Sequence, residues 1–221
     1  MNAILSHILE TNQVTTPEGQ TLELHSHISP LACQVIQAWI TEYCPHRLLE
    51  IGFAYGISSL FICDAIQAEK EVSYHIIDAF QSRDWQSVGL FNLNRAGFGD
   101  LYTFYEERSE ICLARLLEQG MTFDFALIDG MHTFDHALVD FFYINRMLEV
   151  GGIVVFDDFQ MPSIRKLVAH IATYDCYAPL PFPESFRLQA RVLRMLDAPF
   201  RLAGFKKTAV DDRKWDWHHD F

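Results

Sequence analysis

The feature of this sequence that most limits its fold is the alternation of short apolar runs with segments of helical periodicity. Five runs are short, rich in β-branched and aromatic residues and apolar on both faces: residues 47–52, 73–78, 101–106, 123–129 and 152–157. Such runs are typical of parallel strands that are covered on both sides. Repeated alternation of strand and helix predicts an α/β fold, a doubly wound sheet of about seven mostly parallel strands with helices on both faces.

Helical periodicity separates the apolar runs. The clearest example spans residues 134–149, where apolar side chains recur three and four positions apart. Gly151 and Gly152 are predicted to end this helix and to begin the next strand. The other predicted elements are a leading helix, a helix with proline at its first position and a last strand: residues 31–43, Pro162 onward and residues 205–210. No linker interrupts the chain, so residues 1–221 are predicted to form a single domain.

Composition argues against several classes of function. Seventeen Lys and Arg residues against 29 Asp and Glu give a net charge of −12, which disfavours a nucleic-acid partner and an anionic membrane surface. Five cysteines without a C-x-x-C pair predict reduced thiols in a cytoplasmic protein, not a disulfide framework or a thiolate zinc site. The first basic residue is Arg47, and the apolar stretch 51–63 is shorter than the roughly 20 residues of a membrane span. Neither a signal peptide nor a membrane anchor is predicted.

The segment from Glu50 to Gly56 joins the first predicted strand to the next helix, at the edge where doubly wound sheets bind ligands. Gly52 permits a turn that a Cβ atom would obstruct, and Gly56 lets the backbone pass close to a ligand. Ala54 stands where a dinucleotide-binding loop has its middle glycine, and no Lys follows, which weakens both phosphate-binding interpretations. Asp78 ends the next strand, where an acid can accept hydrogen bonds from ribose hydroxyls. A tight turn followed by a chance acid is the alternative.

Five motifs in this chain resemble class I S-adenosylmethionine-dependent methyltransferases, especially the small-molecule O-methyltransferases of the branch with the catechol and macrolide-sugar enzymes. They are L-L-E-I-G-F-A-Y-G-I-S-S at 48–59, H-I-I-D at 75–78, E-R-S at 107–109, F-A-L-I-D-G-M-H at 125–132 and L-E-V-G-G-I-V-V-F-D-D at 148–158. The resemblance implies a Rossmann-like methyltransferase domain that uses S-adenosylmethionine and methylates a hydroxyl group of a small molecule. It divides the chain into a leading helical segment (1–46), a cofactor-binding core (47–159) and a substrate-side segment (160–221).

The resemblance also implies a role for each matching residue. The methionine end of the cofactor is lined by Gly52, Tyr55, Gly56 and Ser58. The remaining cofactor-binding roles fall to Glu50, which orients the loop, Asp78, which holds the ribose, Ser109, which approaches the adenine, and Asp129. Ala54 departs from the glycine of many members, which is tolerable because this cofactor brings no phosphate to the loop.

Three carboxylates are predicted to share a small volume at the same edge. Asp129 ends the fourth predicted strand and Asp157 and Asp158 end the fifth, and neighbouring strands lie about 4.8 Å apart. Without compensation they would raise one another's pKa, and a hard cation such as Mg²⁺ would resolve the repulsion. The metal-dependent O-methyltransferases, which the chain resembles at these positions, use the ion to activate the acceptor hydroxyl. An acidic site without metal, and carboxylates that cap the next helix, are the alternatives.

His132 follows Asp129 by three residues, in the loop at the end of the strand. An imidazole suits general-base catalysis near neutral pH, and the macrolide-sugar enzymes resemble this chain in placing a catalytic histidine there. His132 and Asp129 are therefore the predicted catalytic residues. A loop histidine that only hydrogen-bonds the backbone is the alternative.

For the whole protein, a nicotinamide-dependent oxidoreductase and a non-catalytic cofactor-binding domain are the rival functions. The leading helix and residues 182–202 are expected to build the substrate side, and the aromatic tail, residues 213–221, is expected to dock on its own domain. The sequence leaves the acceptor and homo-oligomerisation open.

Overall fold

The computed structural model describes residues 2–69, 71–186 and 201–220 of the chain. The leading part consists of helix α1 (Ala3–Thr11), an antiparallel hairpin of β1 (Gln13–Thr15) and β2 (Thr21–Glu23), and helix α2 (Pro30–Tyr43). The side chains of Asn2 and Ser29 accept backbone hydrogen bonds at the starts of the two helices, as good N-caps do. Of these elements the sequence pattern predicted only α2, because the hairpin strands are too short for a periodic signal.

A seven-stranded sheet forms the centre of the fold. Its strands are β3 (Arg47–Ile51), β4 (Ser73–Ile77), β5 (Thr103–Tyr105), β6 (Phe123–Ile128), β7 (Leu148–Phe156), β8 (Tyr177–Pro179) and β9 (Ala203–Lys207). Their spatial order is β5-β4-β3-β6-β7-β9-β8, in which β3 to β7 pair in parallel and β8 and β9 pair antiparallel. The connecting helices are α3 (Ile57–Ile66), α4 (Val88–Arg95), α5 (Ser109–Glu118), α6 (Phe134–Met147) and α7 (Pro162–Ile171). The predicted doubly wound α/β fold is confirmed.

Both faces of the sheet are covered by helices. Leu48 and Leu49 are neighbours on β3 and both are fully buried, although side chains alternate between the two faces of a strand. Leu48 belongs to the core under α1 to α4, with Trp39 of α2, and Leu49 belongs to the core under α5 to α7, with Phe141 of α6. This double burial explains why the strands read as apolar on both faces.

The direction of winding reverses at β3, which has β4 on one side and β6 on the other. Helices that follow strands on the two sides of such a point diverge and leave a crevice at the carboxyl ends. The backbone N–H of Gly52 donates to Ile77, and that of Asp129 donates to Ile51, at N–O distances of 2.9 and 2.8 Å. The loops after β3 and β6 are therefore fixed side by side at the crevice.

The prediction that Gly151 and Gly152 end a helix and begin a strand is wrong. Helix α6 ends at Met147, and β7 begins at the next residue, Leu148. The pairing of β6 with β7 shifts register beside the glycines, so they form an irregularity inside the strand. Gly151 has a φ of +96°, which suits such a bulge and which other residues rarely adopt.

Other boundaries differ by smaller amounts. The predicted last strand, residues 205–210, is β9, which begins earlier because it pairs with β7. Helix α7 begins at Pro162 as predicted, and Met161 is its N-cap residue. Of the expected substrate-side stretch 182–202, residues 187–200 lie outside the described residues. Within the part of the chain that the structure describes, no helix combines the length and the hydrophobicity that a membrane crossing requires.

Candidate active site

The loop between β3 and α3 lies directly against the end of β6. Gly52 has a φ of +90°, and a Cβ atom there would lie 2.1 Å from the carbonyl oxygen of Asp129. That distance is far inside van der Waals contact, so only glycine fits. Ala54 and Gly56 also have positive φ values, +47° and +75°. For Ala54 this backbone conformation costs about 1–2 kcal/mol, which indicates that the curled shape of the loop is enforced by its surroundings.

Glu50 holds this loop to the start of α3. Its carboxylate is fully buried and accepts hydrogen bonds from the hydroxyl groups of Ser58, Ser59 and Tyr74. Burial raises the pKa of Glu50, and the three hydroxyl donors oppose that rise. Glu50 therefore ties the end of β3 to the start of α3 across the loop, and the hydroxyl of Ser58 is directed to Glu50. The cofactor-binding roles of both residues stay predictions.

Asp78 braces the same loop from the end of β4. One carboxylate oxygen accepts hydrogen bonds from the backbone N–H groups of Phe53 and Ala54, both at 3.0 Å, and the other accepts from Phe80 at 2.7 Å. A carboxylate offers about four acceptor positions, so roughly one remains for a ligand. The predicted hydrogen bond of Asp78 to the ribose stays a prediction. The structure shows that Asp78 also fixes the loop.

Tyr55 and Ser109 contact other protein groups. The hydroxyl of Tyr55 lies 2.8 Å from Nε2 of His25, and Trp85 packs edge-on against the tyrosine ring. Ser109, the first residue of α5, hydrogen-bonds the buried carboxyl of Asp140 on α6. The predicted contacts of Tyr55 with the methionine end and of Ser109 with the adenine therefore stay predictions. His25 and Asp140 were missed by sequence reasoning.

Three side chains converge at the carboxyl ends of β6 and β7. Nε2 of His132 lies 3.3 Å from Oδ1 of Asp129 and 3.2 Å from Oδ2 of Asp158. One ligand atom from each of the three residues lies within 4.8 Å of the others. Asp158 has a φ of +53°, a sparsely populated conformation that turns the chain sharply where β7 ends. The contacts of His132 with these two acids were not predicted from the sequence, and neither Asp157 nor Asp158 is the N-cap of α7.

A cation from the far end of the chain completes this group. Nη2 of Arg201 donates a hydrogen bond to Oδ1 of Asp158 and lies 3.7 Å from Oδ2 of Asp157. Asp157 is buried, and its Oδ1 has no hydrogen-bond partner among the described residues. Gln160 also donates to Oδ1 of Asp158, at 2.6 Å. We call Asp129, His132, Asp157, Asp158 and Arg201 the acidic cluster.

Two carboxyl groups of the acidic cluster, Asp129 and Asp157, have raised pKa values. Burial raises the pKa of Asp157 to about 7, and the negative charges of Asp129 and Asp158 add to the rise. Burial likewise raises the pKa of Asp129 to about 6, against the hydrogen bond to His132. That hydrogen bond raises the pKa of His132. Protonation is therefore shared among these groups near neutral pH.

The predicted Mg²⁺ ligands do not fit the ion in this arrangement. Mg²⁺ requires free oxygen atoms in near-octahedral array. Both oxygens of Asp158 already face donors, from Arg201 and His132, and one oxygen of Asp129 faces His132. The ligand set that does converge contains His132 in place of Asp157. The metal ligands Asp129, Asp157 and Asp158 therefore stay a prediction, and an arginine that the strand pattern could not locate lies on two of these carboxylates.

Two basic residues near this edge escaped sequence reasoning. Arg201 follows a stretch without a recognisable motif, and no local signal marks it. His27, just before α2, has a buried Nδ1 without a partner among the described residues. Burial lowers the pKa of His27, and the nearby charges of Arg201 and His25 lower it further. The pair His25 and His27, a few residues before α2, was the signal that could have found His27.

Comparison with known proteins identifies the family. No curated protein matches the chain at a significant level. An O-methyltransferase from Bacillus cereus in complex with S-adenosylhomocysteine has a TM-score of 0.68, 14% identity and coverage of 94% of this chain and 92% of that one. TomG, an O-methyltransferase from Streptomyces achromogenes involved in tomaymycin synthesis, in complex with S-adenosylmethionine, has a TM-score of 0.67, 15% identity and coverage of 95% and 91%. Methyltransferase PaMTH1 from Podospora anserina, bound to S-adenosylhomocysteine, has a TM-score of 0.70, 16% identity and coverage of 95% and 89%.

At these identities the structures establish a shared fold. The family itself follows from a sequence model described as a methyltransferase domain, which matches residues 49–159, just over half of the chain. The match spans β3 to the end of β7 and includes the loop at Gly52, Asp78 and most of the acidic cluster. It decides against the nicotinamide-dependent alternative. The chain belongs to the methyltransferase domain family.

Proposed function

We propose that this protein transfers the methyl group of S-adenosylmethionine to a hydroxyl oxygen of a small molecule, with His132 as the general base. The observation that carries the proposal is the double contact of His132 Nε2 with Asp129 and Asp158. The backbone of Asp129 touches Gly52 of the predicted cofactor loop, so the base and the loop adjoin. The family match and the complexes of the structural neighbours with S-adenosylmethionine or S-adenosylhomocysteine support the same cofactor.

The proposed cofactor site fits a ligand that brings no phosphate to the β3–α3 loop. Gly52 and Gly56 let the loop pack closely against its own neighbours, since a Cβ atom at either position would collide with the Asp129 carbonyl or with the Phe53 ring. Asp78 keeps about one acceptor position for a ribose hydroxyl. When bound, S-adenosylmethionine supplies a methyl group on a positively charged sulfur. In this proposal residues 47–159 bind the cofactor, and the segments 1–46 and 160–221 form the acceptor side.

The tautomer of His132 follows from its contacts. Nε2 lies within reach of two carboxylate oxygens, so it carries a proton and donates it to them. In the neutral ring the lone pair is then on Nδ1, which is the atom that accepts the proton of the acceptor hydroxyl. The carboxylates stabilise the imidazolium that forms, in agreement with the raised pKa of His132. The proposed reaction needs no Mg²⁺, because Arg201 and His132 already hold both oxygens of Asp158.

The protein environment fits a reducing compartment. All five cysteines are free thiols, and four of them are buried. We infer a cytoplasmic location, since structural disulfides are the rule in small domains that are exported from the cytoplasm. The partner that we infer is a small molecule, the acceptor of the methyl group.

Substitution of His132 tests the function. We expect His132→Ala to lower kcat by at least about 100-fold, because it removes a general base. His132→Gln retains a donor near the two carboxylates and lacks the basic nitrogen, so the same loss is expected with less structural disturbance. Binding of S-adenosylhomocysteine, measured by calorimetry, is expected to change less than about threefold in both variants.

The matched control is His136→Ala, one helical turn further on, where the side chain contacts Thr133 and Asp135 outside the acidic cluster. Turnover is measured with a panel of phenols, sugars and hydroxy acids. Unchanged turnover in His132→Ala would contradict the assignment of the base. Failure of the wild-type protein to bind S-adenosylhomocysteine would overturn the cofactor and the function together.

A further inference from the structure

Arg201 is the permanently charged cation within the acidic cluster. It donates a hydrogen bond to Oδ1 of Asp158 and lies 3.7 Å from Oδ2 of Asp157. About two fifths of its side chain is exposed, whereas the side chains of Asp157 and Asp158 are almost wholly enclosed. The contact is therefore made between an accessible cation and two carboxylates that are shielded from water.

The backbone around Arg201 is fixed by the sheet. The carbonyl oxygen of Arg201 accepts a hydrogen bond from the N–H of Phe159 at 2.7 Å. Two residues later β9 begins, and Ala203 pairs with Phe156 at the end of β7. Because β7 and β9 are antiparallel, the end of β7, which carries the acids, lies beside the start of β9, which follows Arg201. The backbone pairing therefore places Arg201 next to the carboxylates.

The carboxylates of the acidic cluster are stabilised by a nearby cation. Three carboxylates lie near one another, and partly buried charges without compensation are strongly destabilising. The guanidinium group is always charged and presents several donors in one plane, which matches carboxylate oxygens. It occupies one oxygen of Asp158, and His132 occupies the other. A divalent ion could bind Asp158 only by displacing one of these two donors.

We propose that Arg201 is the resident cation of the acidic cluster, which takes the place of a divalent metal and positions Asp158 against the base His132. The catalytic part of this inference rests on the proposed function. Arg201 is a positioning residue: it orients the carboxylate of Asp158, and that carboxylate orients the imidazole ring. The wild-type protein then needs no divalent ion, and loss of the guanidinium opens a metal site at the same oxygens.

Metal binding tests this without any methyl acceptor. The probe is Mn²⁺, titrated into the protein saturated with S-adenosylhomocysteine and followed by the electron paramagnetic resonance signal of the free ion. We expect no stoichiometric binding to the wild type and one bound ion in Arg201→Met, which keeps the length of the side chain and removes its charge. The exposed Arg165→Ala on α7 is the matched control and is expected to behave as the wild type.

Stoichiometric Mn²⁺ binding by the wild type overturns the proposal, and so does absence of binding in a folded Arg201→Met. The wild-type titration alone keeps the proposal open to refutation if the variant fails to fold. S-adenosylhomocysteine binding is measured on the same samples, so failure of the proposed cofactor is seen separately from failure of the metal argument.

Turnover gives a second, independent readout. With an accepted substrate, we expect wild-type kcat to be unaffected by EDTA and Arg201→Met to lose roughly 10- to 100-fold, as for groups that orient a site from behind. Arg201→Lys is expected to recover most of this loss, since it restores the charge. Recovery of Arg201→Met by added Mg²⁺ supports the substitution of cation for cation. Loss of wild-type activity in EDTA that Mg²⁺ restores contradicts it.

Discussion

Gly52 connects the proposed cofactor loop with the catalytic end of β6. Its positive φ and its contact with the Asp129 carbonyl leave no room for a side chain. The residue therefore does more than allow a turn, because it lets two loops from neighbouring strands meet. The loop proposed to bind the cofactor and the carboxylate that contacts the proposed base are in this way brought together because Gly52 has no Cβ atom.

At this scale we predict that Gly52→Ala is severely destabilising. A Cβ atom 2.1 Å from Asp129 forces the backbone apart, and we expect a loss of about 3 kcal/mol or more in the free energy of unfolding, together with weaker S-adenosylhomocysteine binding. Gly97→Ala is the control: Gly97 has a similar φ of +82° but nothing within 4 Å of an added Cβ. It is expected to cost only about 1–2 kcal/mol. Equal losses in urea denaturation of the two variants would contradict this reading of the contact.

Two helices on one face are joined by a buried acid. Asp140 of α6 is 2% exposed and hydrogen-bonds Ser109 at the start of α5. Burial raises the pKa of Asp140 to about 6, and the Ser109 hydroxyl opposes the rise. Because the folded protein holds this proton more tightly than the unfolded chain, its contribution makes stability fall as pH rises from about 4 through 6 and then level off.

At the scale of elements we predict that Asp140→Asn removes this fall. The amide still accepts a hydrogen bond from Ser109 and carries no charge. The variant is therefore expected to be about 1–3 kcal/mol more stable than the wild type at pH 8 and equally stable near pH 4. Chemical denaturation at the two pH values measures the difference. Asp135→Asn, on the exposed side of the same helix, serves as the control and is expected to retain the wild-type fall in stability between pH 4 and pH 8, because the pKa of Asp135 is lowered by its hydrogen bond to Thr133. A parallel profile in Asp140→Asn would show that the carboxyl is not the source.

The C-terminal segment closes one face of the molecule. Trp217 packs edge-on against Tyr174, which lies just after α7, and against His170 in the last turn of α7, with ring centroids 5.3 and 6.1 Å apart. The guanidinium of Arg213 lies 3.3 Å from the centroid of the Tyr174 ring and 4.7 Å from that of Trp217. Trp215, two residues earlier, is 97% exposed. The tail thus docks on its own domain through one tryptophan of the pair.

For the whole molecule we predict that Trp217→Ala destabilises and Trp215→Ala does not. The first removes an aromatic ring and a cation–π contact, with an expected cost of about 1–3 kcal/mol. The second removes an exposed side chain, for which changes within about 0.5 kcal/mol are usual. Thermal denaturation of the two variants under the same conditions gives the comparison. A larger shift for Trp215→Ala would mean that the tail docks differently.

Local patterns were sufficient to predict the parallel strands and the carboxyl ends of those strands. Leu48 and Leu49 are buried on opposite faces, so a run without polar alternation identifies a covered strand. Acids at strand ends are then brought to one edge by topology alone, which is why Asp129, Asp157 and Asp158 could be expected near one another. Gly151 and Gly152 misled because a glycine pair serves equally as a helix end and as a bulge, and only pairing with β6 decides between them.

The sequence by itself determined the class of fold, the glycine loop after β3 and the edge of the sheet that carries the proposed site, since each depends on residues close together in the chain. The tertiary structure decided which partners each acid has. Asp78 is engaged by loop amides, Ser109 by Asp140 and Asp158 by Arg201, and none of these pairs has a periodicity or spacing to mark it. Contacts between residues distant in sequence depend on how strands are ordered and paired, so the cation on the acidic cluster is known only once β9 lies beside β7.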